Sequence, residues 1–265
     1  MAEHETEYET IRYEVRDRVA RLELHRPEVR NAMSPTMIRE ILDALGRAKD
    51  DPGVGVVVLT GAGDKVFCAG GDLGGIGEGQ AEGKGPAEEG GPRVLFETFA
   101  GLGKPIIGRL NGHAMAGGLG LACACDIVIA PDDVKLGTPE INVGLWPMVI
   151  MATISRNVGP KQALKLYMTG EPVTAEEAVR IGLVTEAVPR AELDARVDAL
   201  AASLAEKSPI VMKLGRDAYY GHRDLPFAEQ LDFLAGELNR VAATEDSQEG
   251  VRAFTEKRKP VYTGR

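Results

Sequence analysis

Two glycine-rich turns, in separate parts of the chain, constrain this sequence more strongly than any other feature. The first is Phe67-Cys68-Ala69-Gly70-Gly71-Asp72, and the second is Ala116-Gly117-Gly118-Leu119-Gly120. Each follows an apolar run, and glycine allows ligand atoms to approach the main chain closely. Two such turns can direct two backbone N–H groups at one point. Such a pair stabilises a developing enolate oxygen, because preorganised donors are most effective where charge appears in the transition state.

The size and charge of the chain exclude several classes of protein. Its 265 residues, 44% of them hydrophobic, predict one substantial core with room for a small second lobe. A net charge of −9 excludes the basic footprint of a nucleic-acid-binding protein. Three cysteines without framework spacing indicate a reducing compartment. No segment has the pattern of a signal peptide or the length of a membrane span, so we expect a cytoplasmic protein that binds neither nucleic acid nor membranes.

Strand-then-helix units recur through the first part of the chain, and the pattern is helical from Glu192 onward. Arg12–His25 alternates like a β-hairpin, and the continuous apolar run Val54–Leu59 predicts a strand that is covered on both faces. The other predicted strands are Ile106–Leu110 and Ile127–Ala130. One helix is predicted to begin at Ser34-Pro35 and another at the capping box Thr174–Glu177. Three further helices are predicted at Val94–Leu102, Leu119–Cys125 and Pro160–Met168.

Two segments allow more than one interpretation. Gly74–Pro92 is rich in Gly and Glu and almost lacks large apolar residues, which predicts a mobile loop. It is either a solvated insertion or a lid beside the first glycine turn. Phe227, Leu231, Leu234, Leu238 and Val241 form a stripe at helical spacing. Such a stripe is typical of a core, and in a terminal helical lobe it can also pack against another subunit.

Several common functional motifs do not occur. The sequence has no phosphate-binding P-loop, no His-Glu-x-x-His and no Gly-x-Ser-x-Gly. The four histidines are scattered without metal-like spacing, so no metal site is predicted. The second glycine turn lacks the full spacing of a dinucleotide fingerprint, and we expect no cofactor.

Taken together, these residues resemble the enoyl-CoA hydratase/isomerase family, also called the crotonase family. The resemblance runs from Leu24-His25-Arg26-Pro27 and Asn31-Ala32 to the tail at 254–260. Its strongest segments are Phe67–Asp72, 111–127 and Gly170–Pro189. In this order and spacing the segments are highly specific.

The resemblance implies a fold and an assembly. The fold is α/β, a crotonase-like spiral of repeated β-β-α units over residues 1–195, and residues 196–265 form a C-terminal helical trimerisation region. The assembly is a homotrimer or a dimer of trimers. The substrate is an acyl-CoA thioester, so coenzyme A belongs to the substrate and is not a separate cofactor.

The resemblance also implies the site. Backbone N–H groups of Ala69 and Gly117 stabilise the thioester enolate. The residues implied in binding the substrate and its coenzyme A are Arg26, Val29, Ala69, Gly70, Gly71, Asp72, Leu73, Gly117 and Trp146. Arg26, Val29 and the nearby Arg30 fall where the family holds the adenine and phosphate end, which arginine can neutralise.

The chain departs from the family pattern at its carboxylates. A two-glutamate hydratase has its first Glu where this chain has Gly120, and the second matches Glu140 in Thr138-Pro139-Glu140-Ile141. One carboxylate suits a 3,2-enoyl-CoA isomerase, which removes a proton and returns it elsewhere on the same enolate. Feruloyl-CoA hydratase-lyases are similar in lacking the first Glu, and they do add water. The sequence leaves hydration and isomerisation open.

Two further hypotheses concern the acyl pocket and the class of protein. Leu145–Met151 is bulky and apolar, and we hypothesise that Trp146 and Met148 in it shape the acyl pocket and raise the pKa of Glu140 by desolvation. A non-catalytic acyl-CoA-binding protein is the alternative to an enzyme, and the loss at Gly120 favours it while the retention of Glu140 disfavours it. A thioester hydrolase or decarboxylase could use the same donors.

Overall fold

The strands of the chain form two sheets. The computed structural model describes residues 8–72 and 91–265. The larger sheet has the order β1-β2-β3-β5-β7-β10, in which β1 and β2 form an antiparallel hairpin and the other neighbours are parallel. Its strands are β1 (Ile11–Arg16), β2 (Val19–Leu24), β3 (Val56–Gly61), β5 (Ile106–Arg109), β7 (Ile127–Pro131) and β10 (Glu186–Val188). The smaller sheet has the order β4-β6-β8-β9 and contains β4 (Val66–Cys68), β6 (His113–Met115), β8 (Lys135–Gly137) and β9 (Val173–Thr174).

Capping residues that are recognisable in the sequence set the ends of several helices. Ser34 caps α1 by accepting a hydrogen bond from the Met37 N–H, and Thr174 caps α6 in the same way from Glu177. Gly170 and Gly182 end α5 and α6 in the left-handed conformation. The helices are α1 (Pro35–Asp50), α2 (Pro92–Ala100), α3 (Gly117–Ala124), α4 (Met148–Ile154), α5 (Pro160–Thr169), α6 (Ala175–Ile181), α7 (Leu193–Ala205), α8 (Pro209–His222), α9 (Phe227–Ala242) and α10 (Glu245–Thr255), with 3₁₀ turns at Pro27–Val29, Pro139–Val143 and Arg190–Glu192.

The larger sheet is covered on both faces, which explains the continuous apolar run in β3. Every residue of β3 is buried. Val57 and Leu59 pack into the main core, which includes the buried face of α1, and Val56 and Val58 point the other way, to α7. The α7 residues in that second cluster recur every four positions: Leu193, Val197, Ala201 and Ala205.

Each repeat of the spiral contributes one strand to each sheet. The pairs β3/β4, β5/β6 and β7/β8 follow one another in the chain, the first strand of each pair lying in the larger sheet and the second in the smaller sheet. This confirms the predicted crotonase-like β-β-α spiral. Because β4, β6 and β8 are parallel neighbours, their carboxyl ends meet at one edge, and the loops that follow them are brought together.

Several element boundaries differ from the predictions by about two residues, within the usual uncertainty of helix and strand ends. β3 covers 56–61 rather than 54–59, and α2 begins at Pro92 rather than at Val94. α3 begins at Gly117 rather than at Leu119. The predicted mobile loop, Gly74–Pro92, overlaps α2 at Pro92, and its residues 74–90 lie outside the described part of the chain.

The C-terminal helices follow a different pattern of burial. The predicted division at 195/196 falls inside α7, which packs on the larger sheet, so we place α7 with the core and begin the helical region at α8. In α9 the apolar stripe does not form a core within one chain: no residue of α9 is buried, and Phe227 is 75% exposed. Within residues 8–72 and 91–265, no helix is long and apolar enough to span a membrane.

Two carboxylates in α10 hold the C-terminal tail against the helices. Asp246 accepts hydrogen bonds from the Ser208 hydroxyl and from the backbone N–H groups of Thr263 and Gly264. Burial alone would raise the pKa of Asp246, but these hydrogen bonds outweigh it and lower the pKa below its ordinary value. Glu249 is paired with Arg258 and Arg252 and accepts from the Val261 N–H, which holds its pKa well below the ordinary 4.5.

Acid should therefore release the tail. A group whose pKa is depressed by folding contributes stability above its unfolded pKa, and that contribution is lost as the pH falls through the folded pKa. We expect hydrogen-exchange protection factors of residues 256–265 to fall progressively as the pH drops below the ordinary carboxylate pKa of about 4, and Glu249→Gln to reduce them already at neutral pH. Glu229→Gln, on the exposed surface of α9, is the control. Unchanged protection in Glu249→Gln would contradict this account.

Candidate active site

Three loops meet at the carboxyl edge of the smaller sheet. β4 ends at Cys68, β6 at Met115 and β8 at Gly137, and these strands pair in parallel through Cys68 with Ala114 and Met115 with Gly137. The loop after β4 carries the first glycine turn, and β6 leads into the second. The loop after β8 carries Glu140. All three predicted catalytic segments are thus brought to one edge by strand pairing.

The first glycine turn is held by a short parallel bridge to Met33. The Met33 N–H donates to the Gly70 carbonyl at 2.8 Å, and the Asp72 N–H donates to the Met33 carbonyl at 2.9 Å. In such a bridge the residue between the two hydrogen bonds points its own amide to the other side. That residue is Gly71, and its N–H has no hydrogen-bond partner among the described residues.

The second glycine turn is fixed by a strained alanine. Ala116 has φ 50° and ψ −127°, a conformation that a residue with a Cβ rarely adopts, at a cost of about 1–3 kcal/mol. Its N–H donates to the Gly137 carbonyl at 2.9 Å, and its carbonyl accepts from Leu119 and Gly120 at 3.0 and 3.2 Å. These contacts on both sides force the turn, which places Gly117 at the first position of α3.

Gly117 presents an amide at a helix N-terminus. The first amides of a helix have no intrahelical acceptor, and the helix dipole favours a negative oxygen in front of them. A Cβ built on Gly117 would lie 3.4 Å from the Gly71 nitrogen, and one built on Gly70 would lie 3.2 Å from the Gly117 nitrogen. The backbone nitrogens of Gly71 and Gly117 therefore lie close together.

The structure corrects the prediction for Ala69. The Ala69 N–H already donates to the Arg30 carbonyl at 3.1 Å. An amide engaged in this hydrogen bond is not free to bind a ligand oxygen, and Gly71, two residues further on, has the open amide. Sequence reasoning singled out this turn but could not show which of its amides are open, because the hydrogen bonds to Arg30 and Met33 decide that.

Two buried asparagines connect the strands beneath the site. Asn31 and Asn111 are 1% and 2% exposed. The Asn31 side-chain amide donates to the Ala62 and Val66 carbonyls, and the Asn111 amide donates to the Gly63 and Val66 carbonyls. Asn111 Oδ1 also accepts from the Gly61 N–H. These hydrogen bonds fix the turn between β3 and β4, from which the first glycine turn extends.

Glu140 is a partly buried carboxylate with one oxygen unused. It lies in the 3₁₀ turn Pro139–Val143 directly after β8, and its carbonyl accepts from the Leu145 N–H at 3.0 Å. Its Oε2 is buried and has no hydrogen-bond partner among the described residues. Burial raises the pKa of Glu140 above the ordinary 4.5, against an opposing hydrogen bond from its own amide. Desolvation of this kind makes a carboxylate a stronger proton acceptor.

Apolar side chains fill the position of the family's first glutamate. A Cβ built on Gly120 would lie 2.4 Å from Ile150 Cγ2 and 3.2 Å from Phe96 Cζ. Ile150 belongs to α4 and Phe96 to α2, so both helices close over α3 at this point. Gly120 thus marks a site where no side chain fits unless its neighbours move. The bulky run that includes Ile150 was visible in the sequence, but its contact with Gly120 was not.

Trp146 and Met148, the two residues predicted to shape the acyl pocket, differ in burial. Trp146 is partly buried, packs against the main core and makes an edge contact with Tyr167, their ring centroids 6.2 Å apart. Tyr167 is itself buried and hydrogen-bonded to the Ser155 hydroxyl at 2.9 Å. Met148 is 67% exposed and lies at the surface. The role of Trp146 in the acyl pocket stays a prediction.

The residues predicted to bind coenzyme A are close in space but differ in their surroundings. Arg26 is paired with Asp72, whereas Val29 and Arg30 are exposed. Leu73, also predicted in this group, lies outside the described residues. In the parts of the chain that the structure describes, no group of three His, Cys, Asp or Glu side chains could hold a metal ion.

Several known proteins are similar to this chain. The family model described as enoyl-CoA hydratase/isomerase matches residues 14–265. The chain is 34% identical to a hydroxycinnamoyl-CoA hydratase-lyase of Pseudomonas fluorescens, over 96% of this chain and 95% of that protein. It is also 34% identical to a crotonyl-CoA hydratase of Syntrophomonas wolfei, over 95% and 97% of the two chains.

Solved structures show the same fold. An enoyl-CoA hydratase from Bacillus anthracis superposes with a TM-score of 0.89 at 30% identity, covering 97% of this chain and 100% of that one. An enoyl-CoA hydratase subunit from Geobacillus kaustophilus superposes with a TM-score of 0.89 at 32% identity, covering 98% and 100%.

The crowding at Gly120 has a measurable consequence. Gly→Ala within a helix normally stabilises by about 0.5–1 kcal/mol, but overpacking against Ile150 should make Gly120→Ala destabilising by about 1–3 kcal/mol. Gly46→Ala in α1 is the matched control, because a Cβ there meets nothing within 4 Å. Chemical denaturation measures both free energies of unfolding. The cost of Gly120→Ala should shrink in an Ile150→Ala background, and an equal cost in both backgrounds would contradict the clash.

Proposed function

The chain belongs to the enoyl-CoA hydratase/isomerase family, and from this premise we propose that it catalyses proton transfer on an enolised acyl-CoA thioester, with Glu140 as the acid/base. The buried, unpartnered Glu140 Oε2 carries the proposal. It lies after β8, at the same edge of the sheet as the open amides of Gly71 and Gly117. We assign these two amides, rather than the predicted pair of Ala69 and Gly117, as the oxyanion donors.

The proposed reaction moves a double bond from C3 to C2. Glu140 removes a proton from C2 of a 3-enoyl thioester, and the electron pair of that C–H bond delocalises onto the thioester oxygen. The N–H groups of Gly71 and Gly117 stabilise the resulting dienolate. The protonated Glu140 then delivers its proton to C4, which leaves a 2-enoyl thioester and regenerates the carboxylate. One carboxylate is enough for this sequence, and Ile150 and Phe96 occupy the place of a second.

Hydration is the second candidate, and the relatives favour it. The names of the compared proteins include a hydroxycinnamoyl-CoA hydratase-lyase and a crotonyl-CoA hydratase. For this chain, addition of water would require Glu140 both to take a proton from water and to deliver one to carbon. A non-catalytic acyl-CoA-binding protein is disfavoured by the partly desolvated Glu140, whose Oε2 has no hydrogen-bond partner among the described residues.

We also propose how the coenzyme A end and the assembly are arranged. Arg30 is exposed beside Lys65 and Arg190 in a cavity of about 540 Å³ that Asp64 and Asp133 also line, where arginine and lysine can meet phosphate groups. Large apolar side chains are exposed at Leu145, Met148 and Met168 and, in the C-terminal helices, at Phe227, Leu238 and Phe254. Exposed apolar side chains of this kind suit burial against further copies of the chain, and the homotrimer implied by the family is the assembly that we propose.

Replacement of Glu140 tests its role. Glu140→Gln keeps the size of the side chain but cannot carry a proton, so we expect kcat to fall by about 10²–10⁴-fold, with acyl-CoA binding by calorimetry nearly unchanged. In the unaltered protein, the acid limb of the pH–rate profile should lie above pH 4.5, because a base must be deprotonated and burial raises this pKa. Glu171→Gln, an exposed carboxylate, is the control. Full turnover in Glu140→Gln would refute the assignment.

Mass spectrometry in heavy water separates the two candidate reactions. The protein is incubated with a panel of 2-enoyl and 3-enoyl thioesters of coenzyme A. Migration of the double bond without added water is the expected result, and deuterium enters the product only where the proton on Glu140 exchanges with solvent before it is delivered. A mass gain of one water would establish hydration instead. Binding with neither added water nor migration of the double bond across the panel would support the non-catalytic alternative.

A further inference from the structure

Arg26 makes two contacts through one nitrogen. Its Nη1 donates to the Ala32 carbonyl at 2.8 Å and to Asp72 Oδ2 at 3.1 Å. Only 21% of the Arg26 side chain and 33% of the Asp72 side chain are exposed. Ala32 immediately precedes Met33, and Asp72 immediately follows Gly71. The guanidinium therefore connects the two segments that flank the Met33–Gly71 bridge.

The segment around Arg26 is itself rigidly attached to the core. The Arg26 N–H donates to Asn31 Oδ1 at 3.1 Å, and its carbonyl accepts from the Asn31 N–H at 2.8 Å. Asn31 is buried and donates to carbonyls at the β3–β4 turn. The Arg30 carbonyl accepts the Ala69 N–H. Hydrogen bonds thus fix residues 26–33 to the core, and the turn 69–72 is hydrogen-bonded to this segment.

In the described part of the chain, the Gly71 N–H makes no hydrogen bond that would hold its direction. The two hydrogen bonds of the Met33–Gly71 bridge, one before and one after Gly71, determine the orientation of this amide. The second of them is donated by the Asp72 N–H. A carboxylate held by a guanidinium is a strong anchor, because charge-assisted hydrogen bonds are stronger than neutral ones. Loss of the anchor would let the turn rotate and carry the Gly71 N–H away from the Gly117 N–H.

We propose that Arg26 is a positioning residue that fixes the Gly71 donor, rather than a ligand for the phosphates of coenzyme A. The proposal rests on the proposed function, because it concerns the same donor pair. It differs from the role that the family resemblance implies for Arg26. The Arg26–Asp72 pair acts on the reacting carbonyl through the backbone and touches no part of the substrate.

A truncated substrate distinguishes the two roles. The same acyl group is presented as a coenzyme A thioester and as an N-acetylcysteamine thioester, which has no phosphates. Arg26→Gln should lower kcat by about 10²-fold for both thioesters, the effect of losing one oxyanion donor, with little change in KM. Asp72→Asn should act in the same direction, and the double variant should lose no more than Arg26→Gln alone. Arg26→Lys, which keeps donors at this position, should recover part of kcat.

Two outcomes would overturn the proposal. The first is a loss confined to the coenzyme A thioester and expressed in KM, because that is the signature of a phosphate ligand. The second is unchanged kcat for both substrates. Arg39→Gln, on the exposed side of α1, is the matched control. Melting temperatures establish that the variants are folded, and Asp72→Asn provides the test on its own if Arg26→Gln does not fold.

A spectroscopic measurement keeps this proposal separate from the proposed function. Butyryl-CoA with a ¹³C-labelled carbonyl has no double bond to move or hydrate, so it reports binding geometry without turnover. Its carbonyl stretch should shift to lower frequency on the unaltered protein and shift less on Arg26→Gln. An equal shift on both would overturn the role of Arg26 alone. No shift on the unaltered protein would refute the donor pair itself.

Discussion

The parallel pairing of three short strands is the constraint on which the site depends. β4, β6 and β8 each contribute three residues to the smaller sheet, and each is the second strand of a repeat. Because side chains alternate along a strand, a shift of one residue in either pairing would turn the following loop to the opposite face. The open amides and Glu140 would then no longer share an edge. Asn31 and Asn111 secure this register from below, by hydrogen bonds that span the turn between β3 and β4.

A strained backbone conformation and a carboxylate oxygen without a described partner both lie at this edge, and the packed core holds them in place. Ala116 adopts a conformation that favours glycine, and the Glu140 carboxylate is partly desolvated without a partner for Oε2 among the described residues. Elsewhere the fold is regular: the capping residues Ser34 and Thr174 make their expected hydrogen bonds, and β3 is buried along its whole length. Polar groups held ready for a ligand are stable only when a well-packed core fixes them.

The sequence predicted those parts of the structure that rest on local patterns. The β1–β2 hairpin, the buried β3 strand and the caps of α1 and α6 follow from alternation, continuous apolarity and N-cap chemistry. The resemblance placed Gly117 and Glu140 at the site and identified the missing glutamate at Gly120. Sequence reasoning could not show that Gly71, rather than Ala69, has the open amide. It also could not show that Ile150 and Phe96 fill the space beside Gly120. Both features depend on contacts between segments distant along the chain. The same holds for α9, whose apolar stripe has the pattern of a core but remains exposed in one chain.

The role that we propose for Gly71 depends on its backbone N–H, which most side-chain substitutions leave in place. A Cβ built on Gly71 meets no described residue within 4 Å, and the φ of Gly71 is not positive. Many side chains could therefore replace this hydrogen without removing the N–H group. Such a position would look unimportant in a mutational scan and could vary freely during evolution while its chemical role persisted. Only a change to the backbone itself, by proline or by an amide-to-ester replacement, deletes the donor. The donor role that we propose for Gly71 thus depends on the neighbours of this residue rather than on its own side chain.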